Sequence, residues 1–256
     1  MASETRRLDQ VVVDHGWSES RSQAQALIMA GKVWLGTKRL TKPGTRVPAD
    51  IDIHLERAPR FVGRGGEKLD AFVDHFGLEV EGLDVLDVGA STGGFTDCLL
   101  QRGAASATCI DVGRAQLHPR LAVEPRVTNL EQINARNLKM GDLPYDAYDL
   151  IVIDVSFISL KQVLQPVWMF LKPGGLLVAL VKPQFEAGRD EVSKGRGVIR
   201  DDVVRQRVFC EVRSYALTDL EDCVLFGELR SPISGADGNM ETLLGLRRMA
   251  SRYTID

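Results

Sequence analysis

Four short apolar runs, each closed by or containing a charged side chain at its end, recur along this chain: LDVLDVG (83–89), ATCIDVG (107–113), LIVIDVS (150–156) and LLVALVK (176–182). A strand with one wet face would alternate apolar and polar residues. Runs this apolar read instead as strands buried on both faces, as in a parallel sheet covered by helices. Candidate strands fall at Val85–Asp87, Ala107–Asp111, Arg126–Asn129, Leu150–Asp154, Leu176–Lys182, near Val224–Phe226 and at Thr242–Leu246, with helical segments between most of them. This alternation predicts an α/β fold built on a doubly wound, mostly parallel sheet. Pro183 ends the fifth strand because it has no N–H for the ladder. Lysine is rarely buried unless paired, so Lys182, the last residue of that strand, is either a solvated strand end or part of a site.

The 256 residues suffice for one medium domain plus a small one. The small one is expected at residues 1–56. RLDQVVVDHG reads as a short helix with Leu8, Val11 and Val12 on one face, and Ser20 as the N-cap of a second helix, RSQAQALIMA, with Gly31 at its C′ position. KVWLGTKRL and IDIHLE read as small strands. RAPRFVGRGG (57–66), rich in Arg, Pro and Gly, reads as a linker, leaving 67–256 for the sheet domain.

Net charge is −3, but residues 1–68 carry +4 and the remainder −7. Such asymmetry predicts an anionic partner for the basic part. No apolar run approaches the roughly 20 residues of a membrane span, and MASETRRLDQ holds no apolar core of a secretory leader, so a cytoplasmic protein is expected. The four cysteines form no CxxC pair and read as reduced thiols, and the four histidines have no metal-ligand spacing, so no metal site is expected.

The stretch LDVLDVGASTGGFTD (83–97) runs from strand through a glycine-rich turn into a helix. Glycines let the backbone approach a ligand, and the helix N-terminus is electropositive. Gly89, Gly93 and Gly94 fit neither the G-x-G-x-x-G dinucleotide fingerprint nor a Walker loop. Asp87, two residues before the first glycine, would repel a pyrophosphate but attract an ammonium or sulfonium. Asp111, ending the next strand, could accept hydrogen bonds from a ribose diol. This combination predicts S-adenosylmethionine, held by Asp87, Gly89, Ala90, Ser91, Thr92, Gly93, Gly94 and Asp111, with Asp154 nearby.

In open α/β sheets ligands bind outside the carboxyl ends of the strands. Asp154 ends the fourth strand and Lys182 the fifth; neighbouring strands lie about 4.8 Å apart, close enough for the two groups to meet. If the last strand is antiparallel and pairs with the fifth, Glu241 joins them at the same edge, and Lys68 arrives from the helix before the first strand. The segment EAGRDEVSKGRGVIRDD (186–202), with Arg189, Lys194, Arg196 and Arg200, reads as a mobile loop over the site that touches phosphates.

In chain order, GGEK, DVGASTGGFTD, DVSFISL, VKPQFEAG and SPISGADGNMET resemble the TlyA family, and RSQAQALIMAGKV resembles the fingerprint of a ribosomal-protein-S-four-like module. The family comprises bacterial rRNA 2′-O-methyltransferases once described as haemolysins. The resemblance implies a Rossmann-like class I methyltransferase sheet with its last strand antiparallel, behind a small N-terminal RNA-binding α/β domain. It also implies an FtsJ-like catalytic tetrad on Lys68, Asp154, Lys182 and Glu241. Lys182 would act as base or hydroxyl-orienting group, with Lys68 the neighbouring cation. The implied partner is ribosomal RNA or a ribosomal subunit, with cytidine as target and contacts from Arg21, Lys32, Lys38, Arg39, Lys42, Arg60 and Arg64. The rival readings are a membrane-active haemolysin without catalysis, which calls for amphipathic membrane-active segments not found here, and a non-catalytic RNA-binding protein on a retained fold.

Overall fold

The computed structural model describes residues 4–56 and 59–250. The chain divides into two compact units, Met1–Pro59 and Arg60–Asp256.

The first unit comprises β1 (Thr5–Arg7), α1 (Leu8–Asp14), α2 (Arg21–Met29), β2 (Val33–Leu35), β3 (Lys38–Leu40), β4 (Arg46–Pro48) and β5 (Ile53–Leu55). Ser20 accepts a hydrogen bond from the Gln23 amide and caps α2. Leu8, Val11 and Val12 of α1 meet Ala24 and Ile28 of α2 over Val33, Val47 and Ile53, forming the unit's core. Asp9 is buried among Arg7, Gln25 and Arg21, and the hydrogen bonds from these partners, Arg7 first, hold its carboxyl well below the usual carboxylate range.

The second unit comprises α3 (Gly65–Phe76), β6 (Asp84–Val88), α4 (Gly94–Gln101), β7 (Ser106–Asp111), α5 (Pro119–Ala122), β8 (Val127–Glu131), β9 (Tyr148–Ile153), α6 (Lys161–Trp168), β10 (Leu171–Val181), α7 (Pro183–Glu186), α8 (Arg189–Lys194), α9 (Asp202–Asp219), β11 (Cys223–Arg230) and β12 (Thr242–Arg248). A single sheet of seven strands runs in the order β11-β12-β10-β9-β6-β7-β8. From β10 to β8 every neighbouring pair is parallel; β12 is antiparallel to both β10 and β11. The strand order reverses between β6 and β9, the switch point at which such sheets open a crevice.

The unbroken apolar runs follow from the two covered faces. Leu86, Val88, Ile151, Ile153, Leu177 and Ala179 pack beneath α6 and α9, while Val85, Leu150, Val152, Val178 and Leu180 pack beneath α3 and α4. Among the described residues no helix is long and apolar enough to cross a membrane.

Two expectations are corrected. The segment drawn as a linker at 57–66 is shorter: Arg57 and Ala58 lie outside the described residues, but Phe61 is buried in the second unit's core and Gly65 already opens α3. The segment expected as a mobile loop contains α8 and the first residue of α9. It is pinned by Asn239, whose buried side chain accepts from the Ile199 amide at 2.9 Å and donates to the Gly197 carbonyl at 2.9 Å.

Candidate active site

β6 ends at Val88, and the chain turns at Gly89 with φ +80°. A Cβ at that position would stand 2.7 Å from the Asp154 carbonyl oxygen, so only glycine passes so close to the end of β9. The Gly89 and Ala90 amides donate to the Ile110 carbonyl, tying the turn to β7. Asp111 braces it from the other side, accepting from the Ser91 amide at 2.9 Å and the Gly113 amide at 2.7 Å.

Two adjoining cavities open here. The larger, about 510 Å³, is lined by Gly89, Ser91, Asp111, Asn134, Asp154 and Phe157 among others. The smaller, about 180 Å³, is lined by Asp87, the turn from Gly89 to Thr92, Gly94, Asp154, Ser156 and Lys182. The larger volume falls within the roughly 300–1,000 Å³ of small-molecule sites.

Asp87 is fully buried. One carboxylate oxygen accepts from the Thr96 amide (3.0 Å) and hydroxyl (2.6 Å), while the other, Oδ1, has no hydrogen-bond partner among the described residues. Burial pushes its carboxyl up to about 7. An unpartnered acceptor at a cavity wall is what an ammonium or sulfonium ligand would satisfy. S-adenosylmethionine therefore fits these residues: Asp87 for the cation, the Gly89–Thr92 backbone for close approach, and Asp111 beside the larger cavity for a ribose. Ala90, Ser91 and Thr92 line the smaller cavity as expected. Gly93 does not face it; a Cβ there would meet Leu121 at 2.3 Å, so this glycine serves packing on α5. Gly94 lines the cavity but also packs tightly, with a Cβ position 3.0 Å from the Gly66 amide, which seats α3 against α4.

The tetrad residues form two ion pairs. Lys182 Nζ lies 2.6 Å from Asp154 Oδ1 and donates to Ser156 Oγ at 2.9 Å. Lys68 Nζ donates to Glu241 Oε2 at 2.5 Å. The register pairing Val181 with Thr242 sets Lys182 across from Glu241 one step further on. The pairs differ in burial. Lys68 and Glu241 side chains are 7% and 3% exposed, whereas Lys182 and Asp154 are 12% and 23% exposed and line the smaller cavity. Glycine spacing admits the buried pair: a Cβ at Gly235 would stand 2.4 Å from Glu241 Oε1. The ammonium of Lys68 is thus directed at Glu241, and Lys182 carries its own carboxylate.

An ammonium has three N–H donors. Ser156 takes one from Lys182, while Asp154 Oδ1 is an ion-pair partner at 2.6 Å outside hydrogen-bond geometry, so a donor is left for an oxygen at the cavity. Phe157, next in sequence, is 91% exposed at φ +65°, an uncommon conformation for a bulky residue, with its ring 5.2 Å from that of Phe185. Ser156, Thr96, Asn134, Phe157 and Asn239 escaped the sequence reading. Ser156 and Phe157 sit inside the same DVSF tetrapeptide as Asp154, which was the available signal.

The basic candidates are dispersed in their commitments. Lys38, Arg39 and Lys42 are exposed, with Arg39 stacked over Trp34 at 4.7 Å. Arg21 pairs with Asp9 and Lys32 with Glu56. In the second unit Arg60 pairs with Asp70, and Arg64 is exposed at the start of α3.

The FtsJ-like methyltransferase model matches residues 61–248, and the S4 domain model matches residues 6–50. The chain is 40% identical over 248 residues to the 16S/23S rRNA (cytidine-2′-O)-methyltransferase TlyA of Mycobacterium tuberculosis, covering 96% of this chain and 91% of the relative. It is 40% identical over 240 residues to Hemolysin A of Brachyspira hyodysenteriae, covering 93% and 98%. Among solved structures, a protein named as a hemolysin from Streptococcus thermophilus superposes with a TM-score of 0.72 at 38% identity, covering 97% of this chain and 90% of that one. The two ion pairs, the S-adenosylmethionine-shaped turn and these matches agree: the chain belongs to the FtsJ-like methyltransferase family and carries an S4 domain ahead of its catalytic unit.

Proposed function

We propose that this protein methylates a ribose 2′-hydroxyl of ribosomal RNA, with cytidine as the target nucleoside, acting on ribosomal RNA or a ribosomal subunit in the cytoplasm. The observation that carries the reading is Lys182, ion-paired to Asp154 at 2.6 Å on the wall shared with the glycine turn. S-adenosylmethionine, when bound, supplies a methyl group already activated on a sulfonium, so the protein mainly aligns the attack and manages one proton.

Lys182, oriented by Asp154 and Ser156, holds the hydroxyl oxygen with its remaining N–H. It accepts the hydroxyl proton only after losing one of its own to water at the cavity, and so returns to the ammonium form, which makes it an orienting group first and a base second. Lys68 and Glu241, buried behind, fix the strand ends. Phe157 offers an exposed ring on which a base taken out of its stack can rest. Lys38, Arg39 and Lys42, with Arg21, Lys32, Arg60 and Arg64, supply the phosphate contacts. The M. tuberculosis relative is named for both subunits' rRNA. A lytic reading without catalysis is not favoured, because the cofactor turn and both ion pairs are intact.

The test is ribose-methylation mapping of rRNA from a host with the gene, without it, and with Lys182→Ala. New 2′-O-methylcytidine only with the wild-type gene is expected; identical maps in all three would refute the proposal.

A further inference from the structure

Glu186 closes the VKPQFE segment, yet nothing so far requires it. It follows Lys182 by four residues and ends α7. Its carboxylate reaches back to the loop after β9: Oε2 accepts from the Ser159 hydroxyl at 2.6 Å and Oε1 from the Leu160 amide at 2.7 Å. Burial raises its carboxyl above the ordinary value, so the group sits in a partly dry place and depends on those two donors.

The loop from Asp154 to Leu160 is consequently held at both ends to one segment. At the near end Lys182 is ion-paired with Asp154 and donates to Ser156; at the far end Glu186 accepts from Ser159 and Leu160. Between the clamps Phe157 sits at φ +65°, almost wholly exposed. A bulky residue persists in that region only when its surroundings over-determine it. Burial does not do so for Phe157. The two clamps, with the Phe185 ring 5.2 Å away, do.

We propose that Glu186 is a positioning residue for methyl transfer: its grip on Ser159 and Leu160 holds the 154–160 loop in the conformation that sets Ser156 against Lys182 and presents Phe157 at the cavity. The inference rests on the methyltransferase reading above. Without Glu186 the far end of the loop keeps only the bonds that the Ser159 and Leu160 carbonyls accept from α6, so Phe157 can relax toward ordinary φ values and Ser156 can move off Lys182. Misplacement of about 1 Å at a reacting centre can cost on the order of 10²-fold in rate.

The experiment is single-turnover methyl transfer to ribosomal subunits at saturating S-adenosylmethionine, with melting temperatures in parallel. A wild-type protein that transfers no methyl group refutes the methyltransferase reading itself. Given an active wild type, Glu186→Ala is expected to be at least about tenfold slower. Glu186→Gln, whose amide oxygen still accepts from Leu160, should recover to within about threefold of wild type. In a double-mutant cycle Glu186→Ala should add little to Phe157→Ala, because both act through one loop. The inference is overturned if Glu186→Ala stays within about twofold of wild type, if Glu186→Gln is as slow as the alanine variant, or if the two losses multiply. Should Glu186→Ala not fold, Ser159→Ala removes one of the two clamped donors; a rate about threefold or more below wild type supports the inference, and an unchanged rate overturns it.

Discussion

Replacing Lys68 and replacing Lys182 by alanine should have opposite signatures, although each change deprives a carboxylate of its lysine partner. Lys68 and Glu241 side chains are 7% and 3% exposed, with the Gly235 backbone pressed against Glu241. Lys68→Ala leaves a buried carboxylate with no counterion. Breaking a buried pair from one side costs about 3–5 kcal/mol. At about 2–4 °C per kcal/mol for a domain of this size, the melting temperature should fall by roughly 6–20 °C. Lys182 and Asp154 are 12% and 23% exposed and line a cavity. Removing Lys182 leaves Asp154 where water reaches it, so the expected cost is within about 1 kcal/mol, under about 4 °C. The rate of transfer should nonetheless fall on the order of 10²-fold or more. Lys182→Arg should not restore it, because a guanidinium does not deprotonate at working pH. A control separates charge from packing: Lys68→Met with Glu241→Leu replaces both partners by apolar groups and should recover most of the lost stability. The assay is thermal melting and single-turnover transfer to ribosomal subunits on the same preparations. If Lys182→Ala melts as low as Lys68→Ala, the assignment of one pair to the fold and the other to the chemistry is wrong. If Lys182→Arg transfers at near-wild-type rate, Lys182 is an electrostatic guide and never a base.

Two further outcomes follow from the cofactor turn and the basic module. Asp87 is raised from 3.8 to about 7 in the fold, so between about pH 4 and pH 7 the free folded protein holds a proton that the unfolded chain has released, and this group's contribution lowers stability as pH rises through that window. A cationic ligand selects the ionised carboxylate, so S-adenosylmethionine affinity by calorimetry should rise up to tenfold per pH unit below about 7 and level off above it; affinity flat from pH 5 to 8, or an unchanged profile in Asp87→Asn, would refute this. Charge reversal at Lys38, Arg39 and Lys42 together should weaken RNA binding and flatten its salt dependence by up to about three counterions while leaving cofactor affinity unchanged; an unaltered salt slope would remove these residues from the interface.

The sheet was legible because its strands are buried on both faces. Continuous runs such as Leu176–Val181 have no solvent side to satisfy, so burial shows in composition alone. The antiparallel last strand entered the sequence reading as a condition, one that would bring Glu241 to the ligand edge, and as what the family resemblance implies; the register of β12 against β10 bears it out. The module boundary was harder. Arg, Pro and Gly in RAPRFVGRGG look like a linker, yet Gly63, Gly65 and Gly66 are small because α4, the glycine turn and Phe61 crowd them: a Cβ at Gly66 would meet Phe61 at 2.4 Å, and one at Gly63 would meet the Thr92 hydroxyl at 2.6 Å. Glycine for flexibility and glycine for close packing are written with the same letter.

The candidate site divides along a similar line. Residues that carry charge at a strand end, Asp111, Asp154 and Lys182, announce themselves, because a charge bordering an apolar run needs a reason to be there. Residues that shape the loops between those ends do not. Asn239 reads as one more turn-former in SGADGN, yet its side chain is wholly buried and joins the loop before β12 to the backbone at Gly197 and Ile199. Glu186 reads as the first residue of a mobile loop, yet it ends α7 and clamps Ser159 and Leu160. Both act over more than 20 residues of sequence, between segments brought together only once the sheet has fixed its strand ends. The strand ends alone leave three loops free to move independently. With Asn239 and Glu186 in place the loops after β9 and β10 and the loop before β12 are tied into one connected rim around Lys182.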